Sequence, residues 1–156
     1  MPTVIRNTPS GLIPQELFKE EKIQEYWNVL YPEQQQVNIG TDDLKEFFLL
    51  YPKPKDTDTV HVISLMYNNL REKHPKQTEA ICLEIADNNF NLLVLQNIEI
   101  VFAGYFLFSV KEDIVYHLAN VSQQFFDDIS QIIFYYNSLT PKMLSFLNEY
   151  FEMKQL

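Results

Sequence analysis

A chain of 156 residues, 46% hydrophobic and 14% aromatic, can bury about 70% of its unfolded surface in one domain and is too apolar to be disordered. Its formal charge of −9, with Arg6 and Arg71 the only arginines, excludes the basic footprint on which a nucleic acid would gain counterion-release energy. No apolar run reaches the roughly 18 to 20 residues of a membrane span, Met1-Pro2-Thr3 does not open a signal peptide, and the single cysteine, Cys82, excludes an intrachain disulfide and a cysteine-rich zinc site, so a soluble cytoplasmic protein with no membrane partner is expected.

Pro14 is placed as a first helical residue, and Ile23, Trp27 and Leu30 follow at helical spacing up to Tyr31-Pro32, with a break around Lys19 to Glu21. At this spacing Trp27, with Tyr26, Tyr31 and Phe47-Phe48, reads as core rather than as an exposed binding patch, while 12 Phe and 9 Tyr in so short a chain leave some aromatics for the surface. After an extended stretch at Gln36 to Ile39, Thr41 is expected to cap a short helix carrying Leu44, Phe47 and Phe48 on one side. Pro52, Pro54 and the charges between them and Thr59 make Tyr51 to Thr59 a solvated loop. Residues 1–58 therefore form a helical and extended N-terminal segment, and 59–156 the main domain.

Beyond the loop, TVHVISL alternates like a strand through Val60, Val62 and Leu65, and MYNNLREKHP reads as a helix stopped by Pro75. From Glu79 the alternation of Ile81, Leu83 and Ile85, the break at Asp87-Asn88-Asn89, the apolar run Leu92 to Leu95, the turn at Gln96-Asn97 and the restart at Ile98, Ile100 and Phe102 describe a three-stranded antiparallel meander. The Asp and Asn residues of its first break tolerate positive φ, and Gly104 is read as a bulge before Tyr105 to Phe108. Ser109 with Glu112 three residues on forms a capping box, opening a helix with Val110, Ile114, Leu118, Val121 and Phe125 along one stripe. Gln131 to Tyr136 is a short buried strand, and Thr140-Pro141 caps a last helix with Leu144, Leu147 and Phe151 inward. The order from Glu79 onward is β-β-β-α-β-α, a mixed-sheet α/β class.

The phrases SGLIPQELFKEE (Ser10 to Glu21), VHVISLMYNNLREKHP (Val60 to Pro75), DNNFNLLVLQN (Asp87 to Asn97) and SVKEDIVYHLANVSQQF (Ser109 to Phe125), with that element order, resemble an uncharacterised bacterial family of unknown function whose members share the fold of actin-like ATPases. The resemblance implies a ribonuclease-H-like domain, preceded here by a remnant of a first actin-like half. It also implies an exposed sheet edge or apolar helix face where the rest of that half would dock, and hence association with a protein partner or with itself.

Actin-like ATPases hold phosphate on glycine-rich turns, because only bare backbone brings successive N–H groups against the anion. The corresponding turn here is Asp87-Asn88-Asn89-Phe90, and the later strand ends Asn137-Ser138-Leu139 where a glycine pair is implied; the only glycines are Gly11, Gly40 and Gly104. If a nucleotide binds, Asp87, Asn88, Asn137 and Ser138 are the residues that would line its cleft. A ribonuclease-H-type nuclease would need carboxylates converging on paired metals about 4 Å apart, and Glu84, Asp87 and Glu112 or Asp113 are the only acids in position. Turn formation and helix capping account for these residues without chemistry.

Asp113 and His117, four apart on one helix face, read as a solvated pair rather than a dyad, His61 and His74 as surface residues, and Cys82 as inert packing. The expectation is a non-catalytic domain with no metal and no cofactor that works by protein association. The alternatives are a divergent ATP-binding protein and, less favoured, a metal-dependent nuclease.

Overall fold

Apolar residues that alternate in the sequence end on opposite faces of one five-stranded sheet, and this division organises the molecule. The computed structural model describes residues 1–156. In chain order the elements are β1 (Thr3–Ile5), β2 (Gly11–Pro14), α1 (Ile23–Leu30), β3 (Ile39–Asp43), β4 (Phe47–Pro52), β5 (Thr59–His61), α2 (Val62–Lys73), β6 (Ala80–Ile85), β7 (Asn89–Gln96), β8 (Glu99–Leu107), α3 (Lys111–Phe125), β9 (Ile133–Tyr136), α4 (Pro141–Asn148) and β10 (Glu152–Gln155).

The main sheet has the order β10-β9-β6-β7-β8. Strands β6, β7 and β8 form the antiparallel meander, and β9 joins β6 in parallel with β10 parallel to β9 beyond it. This is a ribonuclease-H-like mixed sheet. Ala80 and Cys82 of β6 and Leu93 and Leu95 of β7 pack on one face with Val62, Ile63, Met66 and Leu70 of α2 and Leu49 and Tyr51 of β4. Ile81, Leu83, Leu92, Val94 and Phe134 pack on the other with Ile114, Leu118 and Val121 of α3 and Leu147 of α4. The period of 2 in the strands thus feeds two cores, one closed by α2 with β4 and the other by α3 and α4, helices whose apolar residues recur at 3 to 4. No helix is long and apolar enough to cross a membrane.

The N-terminal segment is more extended than its sequence suggests. Pro14 ends β2 and precedes a single 3-10 turn at Gln15–Leu17, a second turn follows at Glu20–Lys22, and only then does α1 run, so the expected break is present. Trp27 is fully buried on α1 and its indole N–H donates to the Gln34 carbonyl at 3.0 Å, while Tyr116 and Tyr150 are the aromatics left outside. The helix expected from Thr41 to Phe48 is instead the hairpin β3–β4, with Lys45 at φ 71° in its turn. Phe47 to Pro52 is an uninterrupted apolar run, which strand and helix satisfy equally; the pairing with β2 and β3 decides for the strand.

Further along, the strand expected through Leu65 stops at His61, because the His61 Nδ1 accepts the N–H of Ile63 at 3.2 Å and starts α2 there. The bulge falls at Val101, skipped between the pairs Val94–Phe102 and Leu95–Ile100, and not at Gly104. Gly104 sits within the regular ladder opposite Leu92, where a Cβ would lie 2.7 Å from the Phe102 ring and 3.0 Å from that of Phe106. The α3 cap is shifted by one residue: Asp113, not Glu112, accepts the N–H groups of Ser109 at 2.9 Å and Val110 at 3.2 Å, and Val110 is exposed rather than part of the buried stripe. Thr140 caps α4 as expected, its hydroxyl accepting the Met143 N–H at 3.2 Å.

Candidate functional site

Two places near the β6–β7 turn collect the candidate residues. The turn itself is tight, with the Ala86 N–H donating to the Asn89 carbonyl at 2.8 Å and the Phe108 N–H to the Asn88 carbonyl at 3.0 Å. None of Asp87, Asn88 or Asn89 adopts positive φ; the left-handed pair of the meander is Asn97 and Ile98 at the following turn. Beside the β6–β7 turn lies a depression of about 380 Å³ lined by Ile85, Ala86, Asp87, Phe108, Ser138, Leu139, Thr140 and Met143. Parallel pairing of β6 with β9 carries both strands to the same end, so Asp87 and Ser138 meet there although 51 residues separate them (138 − 87). Asn88 and Asn137 are not in its lining: the Asn88 Oδ1 accepts from the Asn89 Nδ2 at 3.0 Å, and the Asn137 Nδ2 is buried without a partner.

The second place is on the opposite face of the same strands. Glu84 and Asn91 are cross-strand partners, and both are buried. The Arg6 guanidinium donates to the Glu84 Oε1, and the Asn91 Nδ2 donates to the Arg6 carbonyl at 2.6 Å, so the segment after β1 is tied across the hairpin at two points. Arg6 keeps 45% of its side-chain surface in solvent, so the ion pair is screened and contributes on the order of 1 kcal/mol. The Glu84 Oε2, Asn89 Oδ1 and Asn91 Oδ1 are buried acceptors with no protein donor. Such oxygens call for a donor, and ordered water is the usual one. Arg6 and Asn91 escaped the sequence reading; the available signal was Asn91 set between Phe90 and Leu92 in the run NFNLLVLQ, since an uncompensated polar residue seldom occupies a central strand.

This geometry disperses the nuclease set. Glu84 faces Arg6, Asp87 lines the depression, and Asp113 caps α3, which packs on the face opposite Glu84. No three His, Cys, Asp or Glu side chains come together in a group able to hold a metal ion. The Asp113 carboxyl is held below the usual carboxylate range, first by the Ser109 N–H, then by the Val110 N–H, with His117 a smaller influence. His117 itself lies against Phe106, the rings tilted by 34° with centroids 4.9 Å apart.

Two other residues behave differently from their sequence reading. His61 is not a surface residue but fully buried, and His74 is partly covered with its ring 5.0 Å from that of Tyr135. Cys82 is buried, and burial pushes its thiol up to about 12, as inert packing requires.

The comparisons agree with this fold. A crystal structure of a Bacteroides thetaiotaomicron protein with an actin-like ATPase fold and unknown function superposes with a TM-score of 0.79 at 13% identity, over 98% of this chain and 66% of that one. The chain therefore spans slightly less than two thirds of that protein. Archaeoglobus fulgidus Pelota aligns over 100% of this chain and 61% of its own, at 11% identity and a TM-score of 0.34, too low to bear on the fold. No curated protein matches the chain. Its residues 3–151 match the family described as protein of unknown function (DUF3822), and the chain, an α/β domain with an actin-like ATPase fold, belongs to that family.

Proposed function

We propose that the protein is a non-catalytic actin-like domain that works by protein association, pairing with a second copy of itself through β8. The observation that carries this reading is the state of that strand. β8 is the outer strand of the main sheet, and no strand of the chain bonds to its free side. From Val101 to Leu107 it reads VFAGYFL, without a charge or a proline. Protein edges are normally guarded by lysine, proline, a bulge or a covering element, because an open row of N–H and C=O groups is a template for another strand; β8 has its bulge at Val101, and from Phe102 to Leu107 its ladder is regular. Val101 and Leu107 expose 36% and 64% of their surface.

Antiparallel pairing of two copies about Gly104 sets Val101 against Leu107 of the second copy and leaves Glu99 opposite Ser109, so no like charges meet. Light scattering across a dilution series tests this. The wild type is expected to pass from dimer to monomer on dilution. The double variant Val101→Lys, Leu107→Lys is expected to stay monomeric, since its lysines come face to face across the interface. Both positions are exposed, so each substitution should change stability by no more than about 0.5 kcal/mol. A wild type that is monomeric at every concentration overturns the pairing.

A second reading, divergent nucleotide binding, is favoured by the depression that Asp87 and Ser138 share. Asn88 and Asn137 flank it in sequence and would complete the cleft after a local side-chain rearrangement. On this reading Mg·ATP at a hundred times its dissociation constant stabilises the fold by about 2.7 kcal/mol, raising the thermal midpoint by roughly 5 to 10 °C. An unchanged midpoint at millimolar ATP rejects it.

A further inference from the structure

Gly104 lies in the regular part of the β8 ladder, and glycine inside a strand marks a place where another backbone approaches closely. The space its Cβ would fill is taken by its own neighbours: the Phe102 and Phe106 rings lean over it from either side, their centroids 6.3 Å apart. Both rings are only half-buried, Phe102 beside Phe125 and Phe106 beside His117 of α3.

The ladder fixes where the backbone groups of β8 point. The Phe108 N–H donates to the Asn88 carbonyl at 3.0 Å, and directly bonded pairs alternate along an antiparallel ladder, so Phe106 and Gly104 also bond toward β7. The N–H and C=O groups of Ala103, Tyr105 and Leu107 therefore point to the free side. A second copy centred on Gly104 meets them in matching order. Ala103 bonds with Tyr105 of the copy, and the two Gly104 residues form a non-bonded pair, whose Cα atoms come within about 4.5 Å.

The sequence carries the same symmetry. From both ends VFAGYFL reads aliphatic and then aromatic, with glycine at the centre: Val101 answers Leu107 and Phe102 answers Phe106. A strand that pairs antiparallel with its own copy meets itself reversed, so like faces like when Gly104 is the centre. Phe102 then lies opposite Phe106 of the copy on the α3 face, and Tyr105 opposite the small Ala103 on the other. Moving the centre to Ala103 or Tyr105 puts a phenyl ring opposite glycine.

We propose that Gly104 is the specificity-determining residue of this edge, making β8 pair with a second copy of itself in one register. This role rests on the β8 pairing proposed above. Phe102 and Phe106 of both copies close over the paired glycines as one aromatic cluster, and a side chain at position 104 would push the rings aside and hold the strands apart.

Isotope-labelled chains are mixed with unlabelled ones, and contacts between copies are read from filtered NMR cross-peaks. A cross-peak joining the Gly104 Hα protons of the two copies is expected, since these protons face each other in a non-bonded pair. By light scattering, Gly104→Ala is expected to weaken self-association by about tenfold. Phe102→Leu and Phe106→Leu are expected to weaken it by the same factor as each other, and the double variant to the same degree as each, because either change alone removes the same ring-on-ring contact. Cross-peaks along β8 centred on another residue, a Gly104→Ala chain that associates as tightly as the wild type, or additive effects of the two leucine changes overturn the role of Gly104 and leave the pairing standing. The absence of any contact between copies along β8 overturns both. Should Gly104→Ala fail to fold, the cross-peaks of the unsubstituted chain decide alone.

Discussion

Phe134→Ala is expected to destabilise the protein by about 3 to 5 kcal/mol, lowering the thermal midpoint by on the order of 10 to 15 °C. Phe134 is fully buried in β9, opposite Ile81 of β6 on one side and Met153 of β10 on the other. Its ring lies 4.5 Å from that of Phe151. Both neighbouring strands are hydrogen-bonded to β9, so the backbone cannot close over the cavity that truncation leaves, and the cost includes that void as well as the lost transfer energy. Urea denaturation should show a lower midpoint with an unchanged slope, and Phe134→Leu should recover most of the loss. A loss below about 1 kcal/mol for the alanine variant would contradict the central position of β9.

Acidification should remove up to about 3 kcal/mol through His61 alone. Burial lowers its pKa from 6.5 to about 4, with the Thr8 carbonyl and Asp42 acting weakly in the other direction. The neutral ring is built into the structure: its Nδ1 accepts the Ile63 N–H at 3.2 Å, which leaves the proton on the Nε2, 3.3 Å from the Thr8 carbonyl. The ring also lies 5.2 Å from that of Tyr51, whose hydroxyl donates to Asp42 at 2.8 Å. Because the folded pKa lies below the unfolded one, the unfolded chain takes up the proton first as pH falls. The contribution is intact above pH 6.5, is lost progressively between 6.5 and about 4, and falls no further below that, where both states are protonated. Carboxylates add their own acid response, so the comparison is with His61→Asn, which keeps a helix-capping acceptor without the titration. The variant is expected to be less stable at neutral pH, through lost packing, but to show a flatter profile between pH 7 and 4. Parallel profiles for the two proteins would show that folding does not lower the pKa of His61.

His61 also shows why part of the fold was illegible. A histidine in an alternating run looks like the outward residue of a strand. In the molecule β5 is three residues long, His61 caps the next helix, and β1, from the far end of the chain, pairs with β5 and leads to the segment that covers the ring. The same holds for Lys45, whose turn converts an expected helix into a hairpin, and for β10, whose sequence EMKQ has no strand pattern and becomes a strand because β9 offers it an edge.

By itself the sequence determined the meander, the two helices that close one core and the mixed-sheet class, because alternation, helical stripes and caps such as Thr140-Pro141 are local signals that act over a few residues. It also determined that no glycine stands at the β6–β7 turn. Only the tertiary structure decided that Asp87 and Ser138 line one depression, that Arg6 covers Glu84 and that β8 lies at an open edge. These facts depend on which strands become neighbours and which face each residue takes, and contacts between residues distant in the chain leave no periodic trace in it.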